Sequence, residues 1–216
     1  MGCKPEKIIN YTEKTKEKHY VQICDERGLG LDRMVTIENA HQNGLRHKSG
    51  QIFVFKDDTF KEILIAKRGP SPLVHAAPGK YQPSAAGHIG DRTSTDLPQA
   101  AYDVLKRQLF CESDKLPSGI ALVKLLEYPN NCAEKEEVSN LEYAHLYRTV
   151  YRGPFSLDPG KLVTATFILF EELLKDIKIE VGKASQNNRY SIKYTLSLIN
   201  AVEQYKKHIL RTANHK

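Results

Sequence analysis

No run of apolar residues comes near the roughly 20 needed to cross a bilayer; the longest, such as Ile120 to Leu126, fall far short, so no membrane span is expected. Cysteine is sparse. Cys3, Cys24, Cys111 and Cys132 show no CxxC spacing, and nothing at the start reads as a secretory signal, which together point to a reduced, cytoplasmic setting. A myristoylation start is also lacking, because Met1-Gly2-Cys3 is followed by Glu6 where that signal needs Ser or Thr. No internal repeat is present.

What remains is the make-up of an ordinary globular protein: 216 residues, 40% apolar and 27% charged, enough for one domain with a real core. The net charge of +6 sits at the ends: residues 1–18 carry +2 and residues 175–216 carry +6, leaving the body at −2. A basic end is able to meet nucleic acid or phosphate, and equally reads as a solvated helix face.

Residues 1–18 alternate Lys and Glu and read as an arm, residues 19–180 as the folded domain, and 181–216 as a helical extension packed on it. Tyr20 to Cys24 alternates as a strand, with turn chemistry in Asp25 to Gly28. Val35 to Asn43 shows no clear period. Gln51–Phe55 and Glu62–Ala66 flank Lys56–Thr59 as a β-hairpin. The Pro- and Gly-rich stretch to Gly87 reads as an irregular loop. Thr95-Asp96, Pro98 and the i, i+3, i+4 rhythm from Leu97 to Leu109 predict a helix. Ile120 to Tyr128 and Leu141 to Tyr151 read as strands around an acidic loop with Glu134, Glu136 and Glu137. Phe167 to Ile177 reads as a strand end entering a helix, and Tyr190 to Leu210 as a long amphipathic helix. The class is α+β, a mixed sheet in an α/β/α sandwich.

Asn39 to His47, Ile52 to Phe55 and Pro78 to His88, in that order and spacing, resemble the Nudix superfamily, in the branch containing isopentenyl-diphosphate isomerase and related hydrolases. The resemblance runs from about Tyr20 to Ile177 and implies a Nudix-like fold. The Nudix box of that family places several helical carboxylates around Mg²⁺ or Mn²⁺, which neutralise a diphosphate and activate water. Here the box is degraded. Gly87 stands at its first Gly, but Thr93 replaces the first Glu, Asp103-Val104 the Arg-Glu, Arg107-Gln108 the Glu-Glu and Phe110 the closing Gly. Val104 removes ligand charge, and Arg107 adds a cation where cations should bind. Asp103 and Arg107, four apart, suit a helix-surface pair. Asp91, Asp96 and Glu112 are candidates for displaced ligands.

The resemblance further implies metal ligation at His41, His47, His88 and Glu142, with Asn140 where the isomerase has a second Glu; three imidazoles and a carboxylate suit Zn²⁺ or Mn²⁺. The same histidines equally read as structural, bonded to backbone. Isomerase activity is not expected, since the position of its acid/base Cys is Ala86. In that resemblance Lys67 and Arg68 correspond to the basic pair that faces the diphosphate, with Lys80 in the loop beside it, and they equally read as a solvated strand end; Tyr81, where relatives often have Trp, reads as a stacking or core-capping ring.

Three readings stay open. In the first, the chain binds a nucleotide or diphosphate-containing metabolite with little or no hydrolysis. In the second, it is a divergent hydrolase of a nucleoside diphosphate-linked compound that uses Mg²⁺, Mn²⁺ or Zn²⁺ through Asp91, Asp96, Asp103, Glu112 or Glu142. In the third, the fold serves RNA or protein interaction, for which the basic C-terminal helix is the support.

Overall fold

The computed structural model describes residues 18–69, 77–90, 93–94, 96–132, 139–184 and 192–213. Residues 1–17 of the expected arm, Cys3, Asp91, Thr95 and the loop carboxylates Glu134, Glu136 and Glu137 lie outside the described residues.

The chain opens with a hairpin of β1 (Tyr20–Cys24) and β2 (Gly30–Thr36), antiparallel from Tyr20↔Thr36 to Cys24↔Gly30. Asp25 closes its turn, its Oδ1 accepting from the main-chain nitrogens of Arg27 at 2.9 Å and Leu29 at 2.8 Å, with Gly28 at φ 79°. The sequence shows no signal for β2 because the strand is mostly exposed and carries no apolar alternation. Thr36 then caps α1 (Ile37–Gln42), a short helix held by Ile37 and Ala40 against Val21 and Ile23.

Strand β3 (His47–Phe55) is buried along its whole length and is the hub of the sheet. It meets β1 at Ile23↔His47, β6 (Ala85–His88) from Ser49↔His88 to Ile52↔Ala85, and β4 (Glu62–Arg68) at Phe55↔Ile63. It also runs parallel to β8 (Leu141–Val150) from His47↔Glu142 to Phe55↔Val150. The strand expected at Gln51–Phe55 therefore begins four residues earlier, in a polar stretch whose burial the sequence does not announce. The end of the expected loop is likewise regular: β5 (Tyr81–Gln82) pairs with β4, and β6 with β3. Where β3 passes from β6 to β4, the Ser84 hydroxyl accepts from Val54 N at 2.8 Å and donates to Leu64 O at 2.5 Å. Strands β7 (Val123–Asn131), on β8, and β9 (Leu162–Leu169), on β4, complete the mixed sheet.

Helices cover both faces, as expected for an α/β/α sandwich. On one side α2 (Leu97–Leu109), capped by Asp96, packs Ala101, Val104, Leu105 and Leu109 on Ile52, Val54, Leu64 and Ala85. Gly50 and Gly87 face α2, where a Cβ on either would be in ordinary contact with Val104, at 4.0 Å and 3.4 Å. On the other side α3 (Phe170–Ala184) and α4 (Leu196–Ala213) pack on Phe53, Phe55, Ile63, Ile65 and Leu146. Helix α4 starts at Leu196, later than Tyr190, because the preceding residues pair with β5: Tyr81 N donates to Lys193 O and Thr195 N to Tyr81 O. The exposed face of α4 carries Lys206, Lys207 and Arg211. Among the described residues no helix is long and apolar enough to cross a membrane.

Residues alternate between faces along β8. Ala144 and Leu146 face α3 and α4; His145 and Tyr147 face the side of α2. His145 is 2% exposed, with Nδ1 3.3 Å from Glu127 Oε2. Burial foremost, then the Lys124 ammonium, pushes its imidazole from 6.5 down to about 4, against the pull of Glu127 and with Lys48 adding to the fall. Between these values the unfolded chain takes up the proton and the folded chain does not, so stability is complete above the ordinary His pKa and falls as pH drops towards about 4. One such group costs up to about 1.4 kcal/mol per pH unit in this window. His145→Leu is therefore expected to flatten the loss of urea stability between pH 7 and pH 5 by about 2 kcal/mol, measured from unfolding midpoints at the two pH values.

Candidate metal centre

The odd-numbered residues of β3 face α4, so His47 and Ser49 point to the same side as Phe53 and Phe55. His88 ends β6 opposite Ser49, and Glu142 lies opposite His47 on β8, which places both on that side as well. The last turn of α1 supplies His41. The rings converge, with centroids 5.0 Å apart for His47 and His88, 5.4 Å for His41 and His47, and 5.8 Å for His41 and His88. One ligand-capable atom of each lies within 4.8 Å of the others. Donors about 2.1 Å from one ion stand about 3.4 Å apart, so the three imidazoles would draw together to hold one; His88 Nε2 pairs with Glu142 Oε1 at 3.4 Å.

His47 Nδ1 lies 3.0 Å from Leu45 O. A carbonyl only accepts, so the hydrogen is on Nδ1 and Nε2 keeps its lone pair. That Nε2 is buried and without a hydrogen-bond partner among the described residues. Burial first, then the neighbouring His88, pushes the His47 imidazole down to about 4, so it stays neutral and able to ligate. For Glu142 burial alone would raise the pKa, but the hydrogen bond from His88 and the Ser49 hydroxyl outweigh it and hold the carboxyl well below the usual range. Its oxygens are held in place: Oε2 accepts from Ser49 Oγ at 2.7 Å and Asn130 Nδ2 at 3.2 Å, and Oε1 from Asn140 Nδ2 at 3.2 Å. A buried imidazole lone pair left open beside a permanently ionised carboxylate fits a divalent transition metal rather than a set of purely structural histidines.

Asn140 Nδ2 bonds Cys132 Sγ at 3.1 Å besides Glu142. Ala86 lies opposite Gln51 on β6. The sequence does not point to Ser49 or Asn130, because their partner lies 93 residues away for Ser49 and across a strand pair for Asn130. Nor does it single out His19, whose ring lies 6.1 Å from His88.

The other expected site residues divide between the faces. Lys67 and Tyr81 are register partners on the α3 and α4 side, with Lys67 Nζ 5.8 Å from the Tyr81 ring and Tyr81 6.0 Å from Tyr194. Arg68 turns the other way, donating from Nε to Gln82 Oε1 at 2.7 Å. Neighbours in a strand point to opposite faces, so Lys67 and Arg68 do not act as one phosphate-facing pair. Lys80 directly precedes Tyr81, its carbonyl accepting from Arg68 N at 2.9 Å.

The box positions on α2 are built into the packing. Val104 is fully buried between Gly50 and Gly87. Gln108 locks α2 to β6: its Oε1 accepts from Ala86 N at 3.2 Å and Gln82 Nε2 at 3.0 Å, and its Nε2 donates to Ala86 O. Arg107 Nε donates to Asp103 O at 3.3 Å. The candidate replacement carboxylates are occupied locally. Asp96 caps α2, and Asp103 accepts from Ser94 N at 2.8 Å and Gln99 Nε2 at 3.0 Å. Glu112 is exposed in the turn after α2. Among the described residues, the three histidines form the one cluster of metal-ligand side chains.

No family model matches the chain, and no curated protein matches it. Solved structures similar to it include DR0079 from Deinococcus radiodurans, at 12% identity over 86% of this chain and 98% of that one, with a TM-score of 0.61. Others are the NUDIX domain of Shewanella oneidensis NrtR solved with ADP ribose, at 11% identity over 74% and 86% with a TM-score of 0.49, and the MutT protein from Methanosarcina mazei, at 11% over 75% and 94% with a TM-score of 0.49. The likeness to DR0079 is one of fold, and the architecture is of the expected α+β class.

Chemistry has to be argued from this chain's own side chains, and Gln108 offers a direct test. Gln108→Glu restores a box carboxylate but sets it against the Ala86 carbonyl in place of a donor. It is expected to lower stability by about 1–3 kcal/mol in urea unfolding, whereas a box position free for metal would tolerate the change.

Proposed function

We propose that the chain is a Nudix-type protein that holds a divalent transition metal at His41, His47, His88 and Glu142 and binds a nucleotide or diphosphate-containing metabolite with little or no hydrolysis. The observation that carries this reading is the contrast between the two faces: Val104 and Gln108 pack and lock α2 instead of offering carboxylates, while three imidazoles converge on the opposite face with Glu142 paired to His88 beside them.

His47 would ligate through Nε2, its tautomer set by Leu45 O, and Glu142 through an oxygen oriented by Ser49, Asn130 and Asn140. A bound divalent ion supplies charge neutralisation for phosphate oxygens. Lys67 adds a point charge and Tyr81 a stacking surface on the same face of the sheet as the centre.

Calorimetric titration with Zn²⁺ and Mn²⁺ is expected to give one site per chain, weakened at least about 100-fold in His47→Gln and in Glu142→Gln, each of which removes a ligand. A panel of nucleoside diphosphate-linked compounds is expected to show binding without release of phosphate products in Mg²⁺, Mn²⁺ or Zn²⁺. Clear turnover would replace this reading with that of a divergent hydrolase, and absence of metal binding would remove the centre.

A further inference from the structure

The centre lies beneath α4, a helix outside the segment that resembles the Nudix superfamily, and the two are joined by polar contacts rather than by apolar packing alone. Two rungs cross from α4 to the sheet, one helical turn apart. Ser197 Oγ accepts from Gln51 Nε2 at 2.9 Å, and Gln51 Oε1 in turn accepts from the Tyr128 hydroxyl at 2.7 Å. Asn200 Nδ2 donates to Asn130 Oδ1 at 2.7 Å and to Asn131 O at 3.2 Å, and Asn130 Nδ2 donates to Glu142 Oε2 at 3.2 Å.

The second rung ends on a metal-ligand candidate. Asn130 is 1% exposed and faces Glu142 across the β7 and β8 pair, so its amide has one orientation that serves both neighbours. The oxygen must accept from Asn200, which turns the NH₂ group to the Glu142 carboxylate. Remove the Asn200 donor and nothing from α4 fixes that orientation. Glu142 then loses a donor that aims its Oε2.

We infer that α4 is the outer shell of the metal centre: Asn200, acting through Asn130, is a positioning residue for Glu142, so that metal affinity and the docking of α4 are coupled. This rests on the metal reading proposed above. Outer-shell partners of ligands typically alter metal affinity about 10- to 100-fold, and a coupling of this kind is reciprocal. What the docked helix adds to metal affinity, the bound metal returns as protection of the helix.

The test uses the full chain with Co²⁺ as a spectroscopic probe and Zn²⁺ for exchange measurements. Asn200→Ala keeps a good helix former at a half-buried position. It is expected to weaken Co²⁺ binding about tenfold and to shift the visible d–d absorption of the bound ion, a signature that loss of helix packing alone would not move. Glu203→Ala, an exposed change on the same helix, is expected to leave both unchanged. In the native chain saturating Zn²⁺ is expected to slow hydrogen exchange of the α4 amides by the same factor, and this protection is expected to vanish in Asn200→Ala. Should Asn200→Ala not fold, Asn200→Gln, which keeps an amide but changes its reach, is expected to give a smaller shift of the same sign. Affinity and spectrum unchanged in the folded variant, or α4 exchange indifferent to Zn²⁺ in the native chain, overturns the inference while leaving the metal centre standing. A native chain that binds no Co²⁺ overturns both.

Discussion

The ionised carboxylate of Glu142, buried in the middle of the sheet, is the constraint around which the molecule is arranged. A charge in that position is very costly unless it is paired and hydrogen-bonded. Ser49 from β3, Asn130 from β7, Asn140 just before β8 and His88 from β6 meet it. Ser49, Asn130 and His88 reach Glu142 only in one strand register. A one-residue slip of β3 against β8 would turn Ser49 and His47 to the α2 face and leave the carboxylate alone.

The period of two in the strands also separates the functions of the two faces. The side that carries His47, Ser49, His88 and Glu142 holds every convergent ligand-type donor among the described residues. The side of α2 is given to packing: Gly50 and Gly87 remove side chains, Val104 fills the space, and Gln108 closes the backbone groups of Ala86.

Much of the frame is legible in the sequence. Asp96, Pro98 and the apolar rhythm to Leu109 give α2 within a residue, and Lys56 to Thr59 gives the β3 to β4 hairpin. Elements set by long-range burial are not legible. His47 to Gly50 looks polar and is core strand; β2 looks featureless and is an exposed edge; Ile192 to Thr195 fits a helical rhythm and pairs with β5. The histidines and Glu142 are found through a family resemblance, since nothing in their spacing of 6, 41 and 54 residues marks them as neighbours. The donors around Glu142 are invisible for the same reason. Short-range chemistry reads Lys67-Arg68 as one basic pair, and strand alternation divides them.

The parallel pairing of β3 with β8 has a consequence for how the chain reaches its native state. Ser49 and Glu142 are 93 residues apart, and the ladder between their strands cannot form until that long loop has closed, an entropic cost that local contacts do not offset. The β1 to β2 and β3 to β4 hairpins and α2 assemble from near neighbours. The cluster of His41, His47, His88 and Glu142 therefore belongs to the last stage of folding, and the chain acquires its chemistry only when its topology is complete.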